Sequence, residues 1–517
     1  MFHLFSKNKE EIVNREVAKL NGPAQDSALS SSLNQNIEAL KNLFIDVDVL
    51  VVKFIQNEHN SSLKYCIAYF DGVVNSVMIN ESIIKPLVIS DALVQGSHMM
   101  DSLSEQVVQI NDAKKVRQMK DIIDAITYGD TILFADGCDE ALILNTKEIR
   151  TRAVEEPENE KTLSGPREGF NESLLQNLSI IRRRVRTNEL KMKFLTLGRV
   201  TKTQACVCYI DKVVNKQILK ELYRRLEAID IDAVLDTNYI TELVRDSSWS
   251  PFRTTGYTER PDIILGKLLE GRIAVFLDGT PVVLTVPYLF IENFQSSEDY
   301  YLSFYYTSFS RILRIIGFFL TIAVPGLYIA IVAFHHEMLP TPLLINVAME
   351  RKNVPLPAAV EAFIMMVVFD ILRETGVRMP SNVGQALSIV GALVVGQAAV
   401  AAKLVAAPMI IVVALTGITS LLVPKMNAPV IYARVFLLIL SSSFGLMGLV
   451  VGLSCIFIHM LNLYSFGVPQ LSLPGSLQYQ EVKDTFIRAP WWQMITRTKN
   501  ISRDRIRMKI KNGGGHD

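Results

Sequence analysis

Four ionisable residues stand inside or beside the apolar run Ala358–Leu372, and these are the residues best placed to do chemistry. Glu361 and Asp370 fall within the run; Arg373 and Glu374 follow it. At helical spacing Glu361, Met365, Val368 and Leu372 form one stripe, while Asp370 and Glu374 lie off it and can pair with Arg373. One acid at the mouth of an apolar stripe suits a cation pathway whose constriction closes by dewetting. The same pattern suits an amphipathic helix buried between other helices, and spacing does not separate the two. An unpaired Asp or Arg at the centre of a lipid-facing helix costs about 2.5–3.5 kcal/mol, so membrane-embedded charges face protein or water.

Other chemistry-bearing groups are weaker candidates. Cys206 and Cys208 share one strand face, but no second Cys/His pair lies at metal-ligand spacing, so they read as core. His335-His336-Glu337 resembles a fragment of a metal site, yet adjacent helical residues point about 100° apart. A polar cluster at a membrane boundary explains it better. Arg182-Arg183-Arg184 ends a helical stretch, Glu172–Val185; phosphate binding is conceivable, and a solvated or subunit-bridging face is favoured. The phosphate-cradling Gly-x-x-x-x-Gly-Lys-[Ser/Thr] and the nucleophile motif Gly-x-Ser-x-Gly are both absent. No catalytic, metal or cofactor-binding residue is expected, and the chain does not read as an enzyme.

The elements around these residues fall into two halves. The first contains a repeat: Cys66-Ile-Ala-Tyr-Phe-Asp71-Gly-Val-Val-Asn75 returns as Cys206-Val-Cys-Tyr-Ile-Asp211-Lys-Val-Val-Asn215. A second pair, Gly129…Phe134-Ala-Asp136-Gly137 and Gly271…Phe276-Leu-Asp278-Gly279, keeps nearly the same offset. Lys64–Phe70 and Gln204–Ile210 alternate as strands do. Asp-Gly predicts hairpins joining Thr131–Ala135 to Ala141–Leu144 and Ile273–Leu277 to Val282–Val286. Gln217–Ile229 is apolar at three- and four-residue steps, which predicts a helix covering a sheet. Residues 1–40 read as a mobile segment, 41–152 and 191–292 as two α/β subdomains, and 153–190 as linker and basic helix. A transmembrane domain then occupies 293–480 and a basic tail 481–517.

Whole-chain composition conceals the second half. Lys+Arg number 53 and Asp+Glu 52, so no basic field points to nucleic acid. Charged residues make up 20%, yet Ser381–Pro424 holds only Lys403, and Val435–Gln480 holds none. Ile315–Phe334, an uncharged run, is long enough to cross about 30 Å of hydrocarbon. Val435–Ile458 reads as a second span, its Gly445, Gly448 and Gly452 allowing close helix approach. Ser381–Pro424 has length for two passes joined near Lys403 and Pro408. Nine Lys/Arg in the tail, with Arg311 and Arg314 before the first span, put both ends on the cytoplasmic side. That demands an even number of crossings. Five candidate segments are visible, so either one is re-entrant or interfacial, or Tyr464–Leu473 adds a sixth.

The sequence resembles the A subunits of bacterial spore germinant receptors, the GerA family. The match is carried by Gly165-Pro-Arg-Glu-Gly-Phe170, Asn177-Leu-Ser-Ile-Ile-Arg-Arg-Arg184, Thr258-Glu-Arg-Pro-Asp262, Leu268-Leu-Glu-Gly-Arg272, Asp278-Gly-Thr-Pro281 and Glu298-Asp-Tyr-Tyr301. In the membrane half it continues through Pro355-Leu-Pro357, Glu361, Ile371-Leu-Arg-Glu374, Gly376-Val-Arg378, Pro380 and Ile389–Val400. Each motif is weak alone; the ordered set, over about residues 40–480, is specific. The resemblance implies a fold of duplicated soluble α/β subdomains followed by a polytopic membrane α-helical domain, in the spore inner membrane. It implies partnership with a transporter-like B subunit and a lipoprotein C subunit, contact with membrane lipids, and assembly as a homo-oligomer, a pentamer. Such an assembly would be a nutrient-gated cation channel, with the nutrient pocket in the B subunit. A ring of five Glu361 helices would put five carboxylates at one pore mouth. A non-conducting scaffold that organises receptor clusters is the alternative; a secondary transporter would require inverted repeats in the membrane half, and the repeat lies in the soluble half.

Overall fold

A computed structural model of the chain describes residues 27–90, 99–110, 112–147, 160, 162, 164–378, 391, 394–471, 484–497, 501–504, 506 and 507. Most of residues 154–167, within the expected 153–190 linker and basic helix, the opening of the Ser381–Pro424 window and parts of the tail lie outside these residues.

Two five-stranded antiparallel sheets form the soluble half. The first comprises β1 (Leu50–Gln56), β2 (Lys64–Phe70), β3 (Ala113–Val116), β4 (Thr131–Ala135) and β5 (Ala141–Leu144), in the order β1-β2-β4-β5-β3. The second comprises β6 (Leu190–Leu197), β7 (Thr203–Ile210), β8 (Gly256–Thr258), β9 (Ile273–Leu277) and β10 (Val283–Val286), in the equivalent order β6-β7-β9-β10-β8. Register repeats too: Cys66 sits opposite Phe134, and Cys206 opposite Phe276. In each Asp-Gly turn the glycine takes a positive φ, 86° at Gly137 and 88° at Gly279, which only glycine adopts without penalty. The neighbouring Asp then accepts a helix N-terminal amide, Leu33 N–H on Asp136 at 3.3 Å and Leu174 N–H on Asp278 at 3.1 Å.

Those amides begin α1 (Leu33–Leu43) and α3 (Leu174–Arg184), which line the inside with α2 (Met119–Tyr128) and α6 (Pro261–Leu269). One continuous core joins the inner faces of both sheets, with Cys66, Phe70 and Phe134 from the first and Cys206, Cys208 and Phe276 from the second. Short helical stretches over 76–89 and 99–107 cover the outer face of the first sheet. The outer face of the second is covered by α4 (Lys216–Glu227) and α5 (Thr237–Val244). Buried on both faces, β4 (TILFA) and β9 (IAVFL) lack the apolar–polar alternation of half-exposed strands.

The rest is helical: α7 (Phe304–Phe334), α8 (Thr341–Arg351), α9 (Ala358–Arg378), α10 (Ala407–Ser420) and α11 (Asn427–Leu461). Two stretches, Phe304–Phe334 and Pro424–Leu461, are long and apolar enough to cross a membrane. The second is not straight. Gly445 has φ 59° and ψ −138°, and beyond it the chain doubles back. Gly452 lies against Leu437 and Leu440, and a Cβ on Gly448 would collide with the Leu440 carbonyl. In a straight helix residues 437 and 452 would stand about 22 Å apart. The window Val435–Ile458 is therefore the turn of a helical hairpin rather than one span, and its glycines let the two legs touch. The tip rests on Phe334 and His335, at the far end of α7.

A second correction concerns Tyr464–Leu473, which does not form a sixth span. Its described part is a small hairpin, β11 (Tyr464–Ser465) with β12 (Val468–Pro469). Phe466 and Val468 are buried in the core beneath the second sheet. Within the Ser381–Pro424 window, 394–400 is helical, Lys403 turns the chain with φ 56°, and α10 follows.

Candidate functional site

The Glu361 stripe of α9 faces the other helices of the chain. Glu361 is 1% exposed. Its Oε2 accepts the Ala406 N–H at 3.1 Å and its Oε1 accepts from Arg351 of α8 at 3.3 Å. Ala406 is the N-cap of α10, so the carboxylate meets the positive end of that helix's dipole. Met365 packs in a cluster with Ile329 of α7, Met409 and Val413 of α10 and Leu438 of α11. Val368 and Leu372 are half-buried, Leu372 lying against Gly391. The open side of α9 carries Val360, Phe363, Ile364, Val367 and Ile371, all exposed and uncharged.

A second ionic group lies near the other end of α9. Arg373 and Asp370 are 3.3 Å apart. Asp370 also accepts a hydrogen bond from Arg434, which is 1% exposed on the first leg of the hairpin. Arg434 stands one residue before the uncharged window, so no local pattern connects it to Asp370. Glu374 is on the exposed side.

A third network, at the junction of the two halves, escapes sequence reasoning as a site. Arg311 of α7, wholly buried, donates to Asp299 at 2.7 Å and to Asp484 of the tail at 2.7 Å. Arg314 reaches Asp299 at 3.0 Å, and the Tyr300 hydroxyl donates to Asp484 at 2.7 Å. Burial pushes the Asp484 carboxyl above its ordinary range, while the Arg311 guanidinium pulls it back. Beside this group Arg260 forks onto Asp262, which also accepts from the Tyr301 hydroxyl at 2.8 Å. Arg272 and Lys267 both hold Glu292. A signal was available: Thr258–Asp262, Leu268–Arg272 and Glu298–Tyr301 are three of the six soluble-half motifs, and all converge here.

The arginine triplet is engaged internally. Arg182 donates to the Thr187 and Leu190 carbonyls and lies 4.6 Å from the Phe70 ring, bridging the two sheets' core. Arg183 and Arg184 both grip Glu168. Cys206 and Cys208 are buried in the apolar core. Among the described residues no His/Cys/Asp/Glu cluster could hold a metal ion.

A family model described as Bacillus/Clostridium GerA spore germination protein matches residues 38–500. Spore germination protein KA of Bacillus subtilis (strain 168) is 41% identical over 486 residues, covering 93% of this chain and 88% of the relative. Spore germination protein B1 of the same organism is 35% identical, covering 93% of this chain and 100% of the relative. Among solved structures, the N-terminal domain of the A subunit of the Bacillus megaterium spore germinant receptor GerK3 is 30% identical. It covers 51% of this chain and 98% of that one, with a TM-score of 0.42.

Proposed function

The chain belongs to the GerA family of spore germination proteins, and from that premise we propose that it is the membrane subunit of a nutrient-gated cation channel in the spore inner membrane. It would assemble as a pentamer with a transporter-like B subunit and a lipoprotein C subunit, and convert nutrient binding in B into pore opening. The membrane half would cross six times: α7, α9, the helix containing 394–400, α10 and the two legs of α11. That count agrees with both ends lying on the cytoplasmic side.

In this reading α9 is the gating helix. The observation that carries it is the division of its surface: an apolar face from Val360 to Ile371 open to a neighbour and bounded by Glu374, and a buried acid turned inward onto Arg351 and Ala406. An uncharged constriction stays dry when narrow. Glu361, Met365, Val368 and Leu372 would hold α9 in the closed position, and Asp370, Arg373 and Arg434 would fix its other end. Germinant must then bind the assembly with α9 released more tightly than the closed one, since equal affinity shifts nothing.

The test is cation flux through the purified, reconstituted receptor, with and without germinant. Nutrient-dependent flux supports the channel. Receptor that binds germinant, is intact in the bilayer and passes no ions would make the chain a scaffold instead.

A further inference from the structure

The first three turns of α7 carry charge in sequence, yet their outer surface has none. Arg311 is wholly buried and Arg314 is turned inward onto Asp299. What faces outward is Tyr305, Tyr306 and Phe309, each at least 60% exposed, followed by Ile312 and Ile316. The apolar side of α7 thus begins about 15 Å before Ile315, where the uncharged sequence run starts.

The tail extends this surface sideways. Its described segment 484–494 is fastened to the protein through its polar groups. Asp484 bonds Arg311, and Arg488 donates to the Leu302 carbonyl at 3.4 Å. Trp491 lies tilted against Tyr300 and Trp492 meets Phe304 edge-on, at centroid distances of 5.8 and 5.9 Å. With these polar groups turned inward, Phe486, Ile487 and Trp492 point out, 57–63% exposed.

We propose that segment 484–494 and the first two turns of α7 form an interfacial collar seated in the lipid headgroup–acyl boundary. The inference rests on α7 being a membrane span. Three observations choose lipid over another occupant. The surface joins α7 where Trp492 meets Phe304 and Ser308 reaches the Arg488 carbonyl, and its outward residues are aromatic and aliphatic. Trp and Tyr, with an apolar body and one polar atom, are the side chains that concentrate at this depth. Finally, Arg311, Arg314 and Asp484 are ion-paired inward and Arg488 is buried against the Leu302 carbonyl, so none of these charges is placed beside hydrocarbon.

The chain has three tryptophans, and the third, Trp249, is 98% exposed on the soluble half, so the test has an internal control. Full-length Trp249→Phe chain is reconstituted into phosphatidylcholine–phosphatidylglycerol vesicles containing lipid spin-labelled either near the headgroup (5-doxyl) or deep in the acyl chain (12-doxyl). Resistance to alkaline carbonate extraction establishes that it spans. The expected result is emission quenched by the shallow label at least about twofold more than by the deep one. In the Trp491→Phe/Trp492→Phe chain, Trp249 should respond to aqueous iodide and to neither lipid label. Iodide quenching of Trp491 and Trp492 without lipid quenching would put the segment in water and overturn the proposal. Shielding from both quenchers would mean another protein surface covers it, which also overturns it. A chain extracted by carbonate would instead overturn the spanning reading.

Discussion

The Glu361 carboxylate accepts the backbone N–H of Ala406, 45 residues away in sequence, at 3.1 Å, and so ties the start of α9 to the start of α10. Glu361→Ala should release that tie and leave Arg351 facing an empty acceptor site. Removing one partner of a buried pair costs about 3–5 kcal/mol. Glu361→Gln keeps a neutral acceptor and should cost less. Thermal stability in detergent should fall in the order wild type, Gln, Ala, and resting cation leak should rise in the same order. Indistinguishable behaviour of all three would remove Glu361 from any role in holding α9.

Along the same stripe, Met365→Ala, Val368→Ser and Leu372→Ala should loosen α9 against its neighbours. Truncating a buried Met or Leu costs about 2–5 kcal/mol, with smaller effects for the half-buried Leu372. Germination should become partly nutrient-independent and resting permeability should rise. If all three substitutions leave permeability and nutrient dependence unchanged, the stripe is not part of the gate.

Gly445→Ala tests the hairpin turn. The backbone there lies close to a region populated almost only by glycine, where other residues pay about 1–3 kcal/mol, and a Cβ would also press on Phe334 and His335. The melting midpoint should drop. Gly266→Ala is the control, since α6 leaves open space around that position and alanine is favoured in a helix by up to about 1 kcal/mol. Equal midpoints for both variants would argue against a turn at residue 445.

Burial pushes the Cys66 and Cys208 thiols up to about 12, from 9.0 in an unperturbed side chain. Between those values the folded chain holds protons that the unfolded chain releases. Stability from this source is therefore complete below about pH 9 and lost as pH rises toward 12. At 1.36 kcal/mol per unit, the two thiols together would cost about 4 kcal/mol by pH 10.5. Cys66→Ala/Cys208→Ala should lose less stability than wild type between pH 7.5 and 10.5, measured by thermal unfolding. An equal loss would place the alkaline sensitivity elsewhere.

Short-range pattern carries much of the soluble fold. The expected strand Lys64–Phe70 agrees to the residue, although it is buried on both faces and does not alternate, and Asp-Gly locates both hairpins, because that signal lies within a few residues of what it determines. The apolar helical half is legible in composition but less so in path. An uncharged stretch reads the same whether it runs straight or turns at Gly445, since the turn depends on one backbone conformation. Spacing puts Glu361, Met365, Val368 and Leu372 on one stripe. Its direction depends on Arg351 and Ala406, which no periodicity within α9 reveals. Arg434 and Asp484 are harder still, because each finds its acid or base on an element more than 60 residues away.

Phe466, Val468 and Ile501 lie in the core beneath the second sheet, although its last strand ends at Val286. During synthesis that sheet is made well before the residues that close its outer face. In the six-crossing topology proposed above, the ribosome must first produce every membrane helix, and these must thread so that the chain re-emerges on the side where it began. A protomer inserted with one crossing too few would deliver Phe466 and Val468 to the wrong compartment and leave apolar surface uncovered. In that topology the soluble half reports on the half that follows it, because a misthreaded chain leaves a gap in the core beneath the second sheet.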